Sequence, residues 1–190
     1  FEPIVPELNS AQDLPIRYVF PNAPSIPVTI NGGMTMPAWY DIRSIGVERD
    51  FDEGQLLASA AAVHDLIDRE IERGIPSERI LIAGFSQGGA VGYEAALSYA
   101  KPLAGMMALS TYFATSESVE IAPANRELKI LVAHGSKDPV VPEILGKNST
   151  ESLRQMGFDP VYRTYPMEHQ VCQEEIQDIA SWMRAVAFVG

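Results

Sequence analysis

Residues 79–90 read Arg79-Ile80-Leu81-Ile82-Ala83-Gly84-Phe85-Ser86-Gln87-Gly88-Gly89-Ala90. The apolar run at the front suits a strand buried on both faces. Ala90 to Tyr99 is Ala-rich and is stopped by Lys101-Pro102, so a helix follows the strand. Between them Gly84-Phe85-Ser86-Gln87-Gly88 matches G-x-S-x-G, in the strand–turn–helix setting that thrusts a serine hydroxyl outward. In so tight a turn, side chains at Gly84 and Gly88 are expected to collide with neighbouring backbone. The helix N-terminus behind Ser86 offers free N–H groups and a positive dipole end to a developing oxyanion. The alternative is a Gly-rich turn whose serine merely caps the helix.

The same alternation extends outward in both directions. From Gln55 to Arg73, Leu56, Ala60, Val63, Ile67 and Ile71 recur on one helical face, and Gly74 with Pro76 ends the pattern. Arg17-Tyr18-Val19-Phe20 reads as a strand stopped by Pro21-Asn22-Ala23-Pro24. Leu103 to Leu109 and Ile130 to Ala133 read as buried strands, 157–165 contains an alternating one, and 174–187 is a closing helix. Strands alternating with helices imply an α/β chain, a mostly parallel sheet with helices on both faces. Right-handed crossovers then put the strand C-terminal ends, where such proteins build their sites, on one edge. Residues 1–190 read as one domain.

A serine hydroxyl needs a base, and three histidines are available. His64 lies within the helix at 55–73 and reads as a packing or surface residue. His134 follows the strand at 130–133 and reads as orienting its turn, although its place on the strand edge keeps it eligible. His169 follows the last strand, in Tyr165-Pro166-Met167-Glu168-His169, and is the expected base. Asp138, in Ser136-Lys137-Asp138-Pro139, stands after another strand and is the expected carboxylate partner, although Asp-Pro is also an ordinary turn signal. Ser86, Asp138 and His169 thus each follow a separate strand. A neutral His169 is required, so activity is expected to rise through roughly pH 6–7.

Composition narrows the field further. The chain carries 14 Lys+Arg against 25 Asp+Glu, a net charge of -11, which disfavours nucleic acid and anionic membrane surfaces as partners. Cys172 is the sole cysteine, which excludes an internal disulfide framework and Cys-rich metal clusters. Lying near His169, it reads as packing beneath it rather than as a nucleophile. No apolar run reaches the roughly 20 residues of a membrane span, and no signal peptide is visible, so a cytoplasmic setting is expected. There is no phosphate loop, no G-x-G-x-x-G and no H-E-x-x-H. No metal and no cofactor is expected. Asn31-Gly32-Gly33 reads as a turn. Met34-Thr35-Met36-Pro37-Ala38-Trp39-Tyr40 is rich in large apolar groups for a loop; it reads equally as core or as the lining of an acyl pocket, with Met36 and Trp39 the candidates.

Several segments jointly resemble one family. They are Pro21-Asn22-Ala23-Pro24, Val28-Thr29-Ile30-Asn31-Gly32-Gly33, Pro37-Ala38-Trp39-Tyr40-Asp41-Ile42, Ala83 to Gly89, Ala108-Leu109-Ser110-Thr111-Tyr112, His134-Gly135 with Asp138, and Tyr165-Pro166-Met167 with His169. Together they look like bacterial carboxylesterases of the acyl-protein thioesterase/lysophospholipase family. The resemblance implies an α/β-hydrolase fold that cleaves short- to medium-chain esters or thioesters through an acyl-enzyme, with Ser86, Asp138 and His169 as its triad. It also implies the Gln87 N–H as one oxyanion donor, a small acyl ester or thioester as substrate, and a homodimer. The chain begins at Phe1, without the strand and His-Gly-Leu-Gly type loop that family members carry before it. An N-terminal portion missing from the fold is therefore expected, and with it a non-catalytic or impaired alternative. An acyltransferase keeps the same nucleophile and changes only the acceptor.

Overall fold

The computed structural model describes residues 2–10, 15–46 and 49–187. A short helix α1 (Val5–Ser10) precedes a hairpin of β1 (Ser25–Val28) and β2 (Met34–Pro37). Then follow α2 (Glu53–Glu72), β3 (Leu81–Phe85), α3 (Gln87–Ser98), β4 (Gly105–Leu109), β5 (Ile130–Gly135), α4 (Glu143–Gln155), β6 (Val161–Tyr165) and α5 (Gln173–Ala187). The strands β3-β4-β5-β6 lie in that order in one parallel sheet, while β1 and β2 pair antiparallel in a sheet of their own.

Alternation along the central strands gives the sheet two apolar faces. Met106, Ala108, Ile130 and Val132 join Tyr93, Leu97, Ile67 and Leu153 from α3, α2 and α4. Met107, Leu109, Leu131 and Ala133 face the other way and pack with Leu8, Ile176, Ile179 and Met183 from α1 and α5. β4 and β5 are buried along their whole lengths, as expected of strands covered on both sides. Asp52 caps α2 by accepting the Gln55 N–H at 2.9 Å, and Gly74 ends it in the left-handed region at φ 93°.

Three expectations are corrected. Arg17–Phe20 is irregular chain rather than a strand; its β-prone residues lack a ladder partner among the described residues, and propensity alone does not hold a strand. For the same reason β3 is the edge strand of the sheet among the described residues and only half-buried, although Ile82 packs into the core on one face and Leu81 and Phe85 into that on the other. Residues 34–37 are not a loop but β2, exposed along its length. Asn31-Gly32-Gly33 does turn the hairpin, with Gly32 and Gly33 at φ 67° and 74°.

Candidate active site

The C-terminal ends of β3, β5 and β6 converge. Ser86 sits directly after β3 at φ 53° and ψ -124°, a conformation disfavoured for a residue with a side chain. The sheet and α3 hold it there. Its N–H donates to the Leu109 carbonyl at 2.9 Å, while its own carbonyl accepts from the Thr111 hydroxyl at 2.5 Å and from the Gly89 N–H at 2.9 Å. Ser86 occupies the N-cap of α3, yet its side chain makes no capping bond, so the hydroxyl is free for other work.

The glycines explain how tightly the turn closes. A Cβ on Gly84 would lie 2.3 Å from the Gly88 carbonyl oxygen, as the motif requires. Gly88 departs from expectation: its Cβ would meet nothing closer than the Trp39 indole nitrogen, at 3.6 Å. The second obligatory glycine is Gly89, where a Cβ would press into Thr111 at 2.5 Å.

His169 bridges the other two residues. Its Nε2 lies 2.9 Å from Ser86 Oγ and its Nδ1 lies 2.6 Å from Asp138 Oδ2. A carboxylate only accepts, so Nδ1 carries the proton and Nε2 presents its lone pair to the serine hydroxyl. The Phe85 ring, 4.7 Å away between centroids, packs against the imidazole. The Asp138 side chain is fully buried, and its Oδ1 accepts the N–H groups of Val140 and Val141, each at 2.8 Å. Asp138 is therefore both a turn-forming Asp and the partner of His169. Gly135 lets the two loops meet, since a Cβ there would lie 2.4 Å from the Glu168 carbonyl oxygen.

The other histidines are placed apart from the serine. His64 is half-buried, bonded to the Ala95 carbonyl at 2.8 Å. His134 is fully buried and bonded to the Val141 carbonyl at 2.8 Å, so it does steady the Asp138 turn. Burial holds its pKa below the ordinary imidazole range. Cys172 is half-buried just before α5, packed with the cluster behind the sheet.

Gln87 has a second role that sequence reasoning missed. As the first residue of α3 its backbone N–H lies outside the helical ladder. Its side-chain Oε1 accepts the Trp39 N–H at 2.8 Å and its Nε2 donates to the Tyr40 carbonyl at 2.7 Å. Gln87 thereby clips residues 39–40 to the turn beside Ser86. Trp39 is half-buried against Gly88, while Met36 stands exposed on β2. A polar residue after the nucleophile, more than forty positions from its partners, gives no local signal of this contact.

A parallel sheet with helices on both faces, carrying serine, histidine and aspartate in one hydrogen-bonded line at its strand ends, defines a serine hydrolase of the α/β-hydrolase fold. The family model "Phospholipase/Carboxylesterase" matches residues 6–187, and the chain belongs to that family. Ester or thioester hydrolysis is the activity this membership carries, and the non-catalytic alternative is not favoured. Acyl-protein thioesterase 1 of Neurospora crassa is 44% identical over 178 residues, covering 88% of this chain and 73% of that protein. Acyl-protein thioesterase 1 of Gibberella zeae is 37% identical over 89% of this chain and 76% of its own length. Among solved structures, Arabidopsis thaliana SOBER1 superposes with a TM-score of 0.88 at 29% identity, covering 97% of this chain and 91% of that one. These relatives are fungal and plant proteins, so the bacterial part of the expected resemblance finds no support in them. Among the described residues no helix is long and apolar enough to cross a membrane.

Proposed function

We propose that Ser86 is the nucleophile, His169 the general base and Asp138 the residue that orients His169, in a hydrolase of short- to medium-chain acyl esters and thioesters. Ser86 Oγ attacks the substrate carbonyl carbon as its proton passes to His169 Nε2. The carbonyl oxygen gains negative charge and meets the Gln87 N–H at the positive end of α3. Collapse expels the alcohol or thiol, which takes the proton from His169, and leaves an acyl-enzyme. Water, deprotonated by the same histidine, then releases the acid and restores Ser86. No step calls for a metal or cofactor.

The single observation that supports this reading is the position of His169 between Ser86 Oγ at 2.9 Å and Asp138 Oδ2 at 2.6 Å. The acyl chain is assigned to the surface of Trp39, with Met36 on the strand leading to it. The names of the fungal relatives favour a thioester carried on a protein among the natural substrates. Residues 1–190 are taken as one domain, acting in the cytoplasm, with a homodimer as its expected assembly. Hydrolysis of p-nitrophenyl butyrate by the parent and by Ser86→Ala tests the assignment; equal rates in the two overturn it. A panel of acyl lengths with oxygen and sulfur leaving groups then ranks the substrates.

A further inference from the structure

Asp138 is steadied by contacts that bypass His169 altogether. The carbonyl of Val140, one of the two residues whose N–H groups bind Asp138 Oδ1, accepts a hydrogen bond from Arg49 Nη2 at 2.7 Å. Arg49 is far away in sequence and reaches this turn from the chain that leads into α2. Its guanidinium lies over the Tyr112 ring, 4.7 Å from the centroid. The Tyr112 hydroxyl is bonded to that of fully buried Tyr40 at 2.8 Å, and the Tyr40 carbonyl accepts the Gln87 side chain at 2.7 Å. The path Val140–Arg49–Tyr112–Tyr40–Gln87 therefore joins the Asp138 turn to the Ser86 turn from outside the reacting line.

The choice of residue suits that task. Val140 is 51% exposed, so apolar packing does not fix this part of the turn. A guanidinium donates in its own plane while its face lies on an aromatic ring, which an ammonium on a flexible stem does poorly. Arg49 Nε is buried without a hydrogen-bond partner among the described residues, leaving Nη2 as the end that grips Val140.

We propose that Arg49 is a positioning residue for the hydrolysis: it sets the Asp138 turn so that the carboxylate meets His169 Nδ1. This rests on the reading of Ser86, His169 and Asp138 given above. Besides Asp138, the titratable groups placed beside His169 are His134, which lies 3.8 Å from the same Asp138 oxygen, and Glu168, its neighbour in the chain. Glu143 acts on His134 at longer range. None of these is hydrogen-bonded to Arg49, whose charge acts on Tyr112 and Tyr40; Arg49→Lys, which keeps that charge, separates it from the contact with the Val140 carbonyl.

The test uses Arg49→Met, which keeps the stem and removes every donor, and Arg49→Lys, which keeps the cation. The pH dependence of kcat/KM, the separate kcat and KM values and Tm are measured on p-nitrophenyl butyrate. Arg49→Met is expected to lose about tenfold in kcat with KM within about twofold, since small displacements of a catalytic group are costly. Its acid limb is expected to move to lower pH, because an imidazolium deprived of its carboxylate gives up its proton more readily. Arg49→Lys is expected to move the limb in the same direction by less. A limb at the parent's pH in Arg49→Met overturns the proposal even if Tm falls, since a purely structural role lowers stability without moving it. Should Arg49→Met fail to fold, a parental limb and kcat in Arg49→Lys overturn it. Ser86→Ala separates the two readings: activity surviving there fails the catalytic assignment, whereas activity abolished there with an unmoved limb fails Arg49 alone.

Discussion

His134 Nε2 stands 3.8 Å from Asp138 Oδ2, the oxygen that His169 Nδ1 approaches at 2.6 Å. Two imidazoles thus share one carboxylate oxygen, and they differ in their surroundings. His134 is fully buried, and burial favours its neutral form. Its Nε2 gives its proton to the Val141 carbonyl, so Nδ1 is the bare nitrogen, buried without a partner among the described residues. The negative charge of Asp138 is consequently left to His169, the histidine proposed to act as base.

The floor beneath His134 is Gly146, where a Cβ would sit 2.4 Å from Nδ1. An alanine in a helix interior ordinarily stabilises by about 1 kcal/mol over glycine. At this position the ring must shift, and overpacking of this kind costs about 1–3 kcal/mol. Gly146→Ala is therefore expected to lower Tm. A raised Tm in thermal melts would show that the His134 ring has room.

Backbone strain at Ser86 gives an inverted ranking. Ser86→Ala and Ser86→Gly both lack the hydroxyl and are expected to be inactive. At φ 53° and ψ -124° only glycine is comfortable. Ser86→Gly is expected to be more stable than Ser86→Ala by about 1–2 kcal/mol, net of the greater freedom of glycine in the unfolded chain. Paired denaturant titrations check it; the usual order, with alanine ahead, would count against a strained turn.

Gly135 carries the approach of the His169 loop to the Asp138 loop. A Cβ there meets two backbone carbonyl oxygens, those of Glu168 at 2.4 Å and Met167 at 2.5 Å, neither of which can swing aside like a side chain. Gly135→Ala is expected to lower kcat by at least about tenfold by shifting His169 from its partners. Kinetics on a variant shown by circular dichroism to be folded decide it. Parental kcat would mean that the loop yields without cost.

Glu175, in the first turn of α5, is fully buried and neither carboxyl oxygen has a hydrogen-bond partner among the described residues. Burial pushes its pKa from 4.5 up to about 7; the Cys172 backbone opposes the rise and Asp178 adds to it. Below about pH 4.5 the group is protonated both folded and unfolded, and its ionisation adds no cost. Between 4.5 and 7 the unfolded chain ionises first, so stability falls as pH rises, by about 3 kcal/mol in all, and is then level. Glu175→Gln is expected to match the parent in Tm near pH 4.5 and to exceed it most at pH 8. An advantage independent of pH would point to a packing effect instead.

Much of this was legible in sequence because the constraints were local. The turn at Ser86 announces itself through glycines within five residues, and α2 through apolar residues at helical spacing. Helix α4 gives no apolar signal because its buried face is Leu145, Gly146, Ser149, Thr150 and Leu153. The spacing is helical, but small polar side chains replace the apolar ones; Ser149 and Thr150 satisfy their hydroxyls on the carbonyls four residues back. The periodicity there is one of size, not of hydropathy. Gly89 gives no local signal because its contact, Thr111, comes from the chain that follows β4. The links from Arg49 to Val140 and from Gln87 to Trp39 exist only once the sheet has assembled.

The hairpin of β1 and β2 has a consequence of its own. Its strands bond to each other, and Thr29 fastens its far end by giving both N–H and hydroxyl protons to the Asp41 carboxylate, at 2.7 and 2.6 Å. Ile30, Met34 and Met36 lie exposed upon it. The parallel sheet that aligns Ser86, Asp138 and His169 takes no register from this ribbon. Lengthening it, or exchanging its outward residues, would therefore redraw the outer surface while the reacting atoms stayed where they are. In engineering terms the hairpin is an interchangeable cassette, joined to the Ser86 turn at Trp39 and Tyr40 through the two hydrogen bonds of the Gln87 side-chain amide.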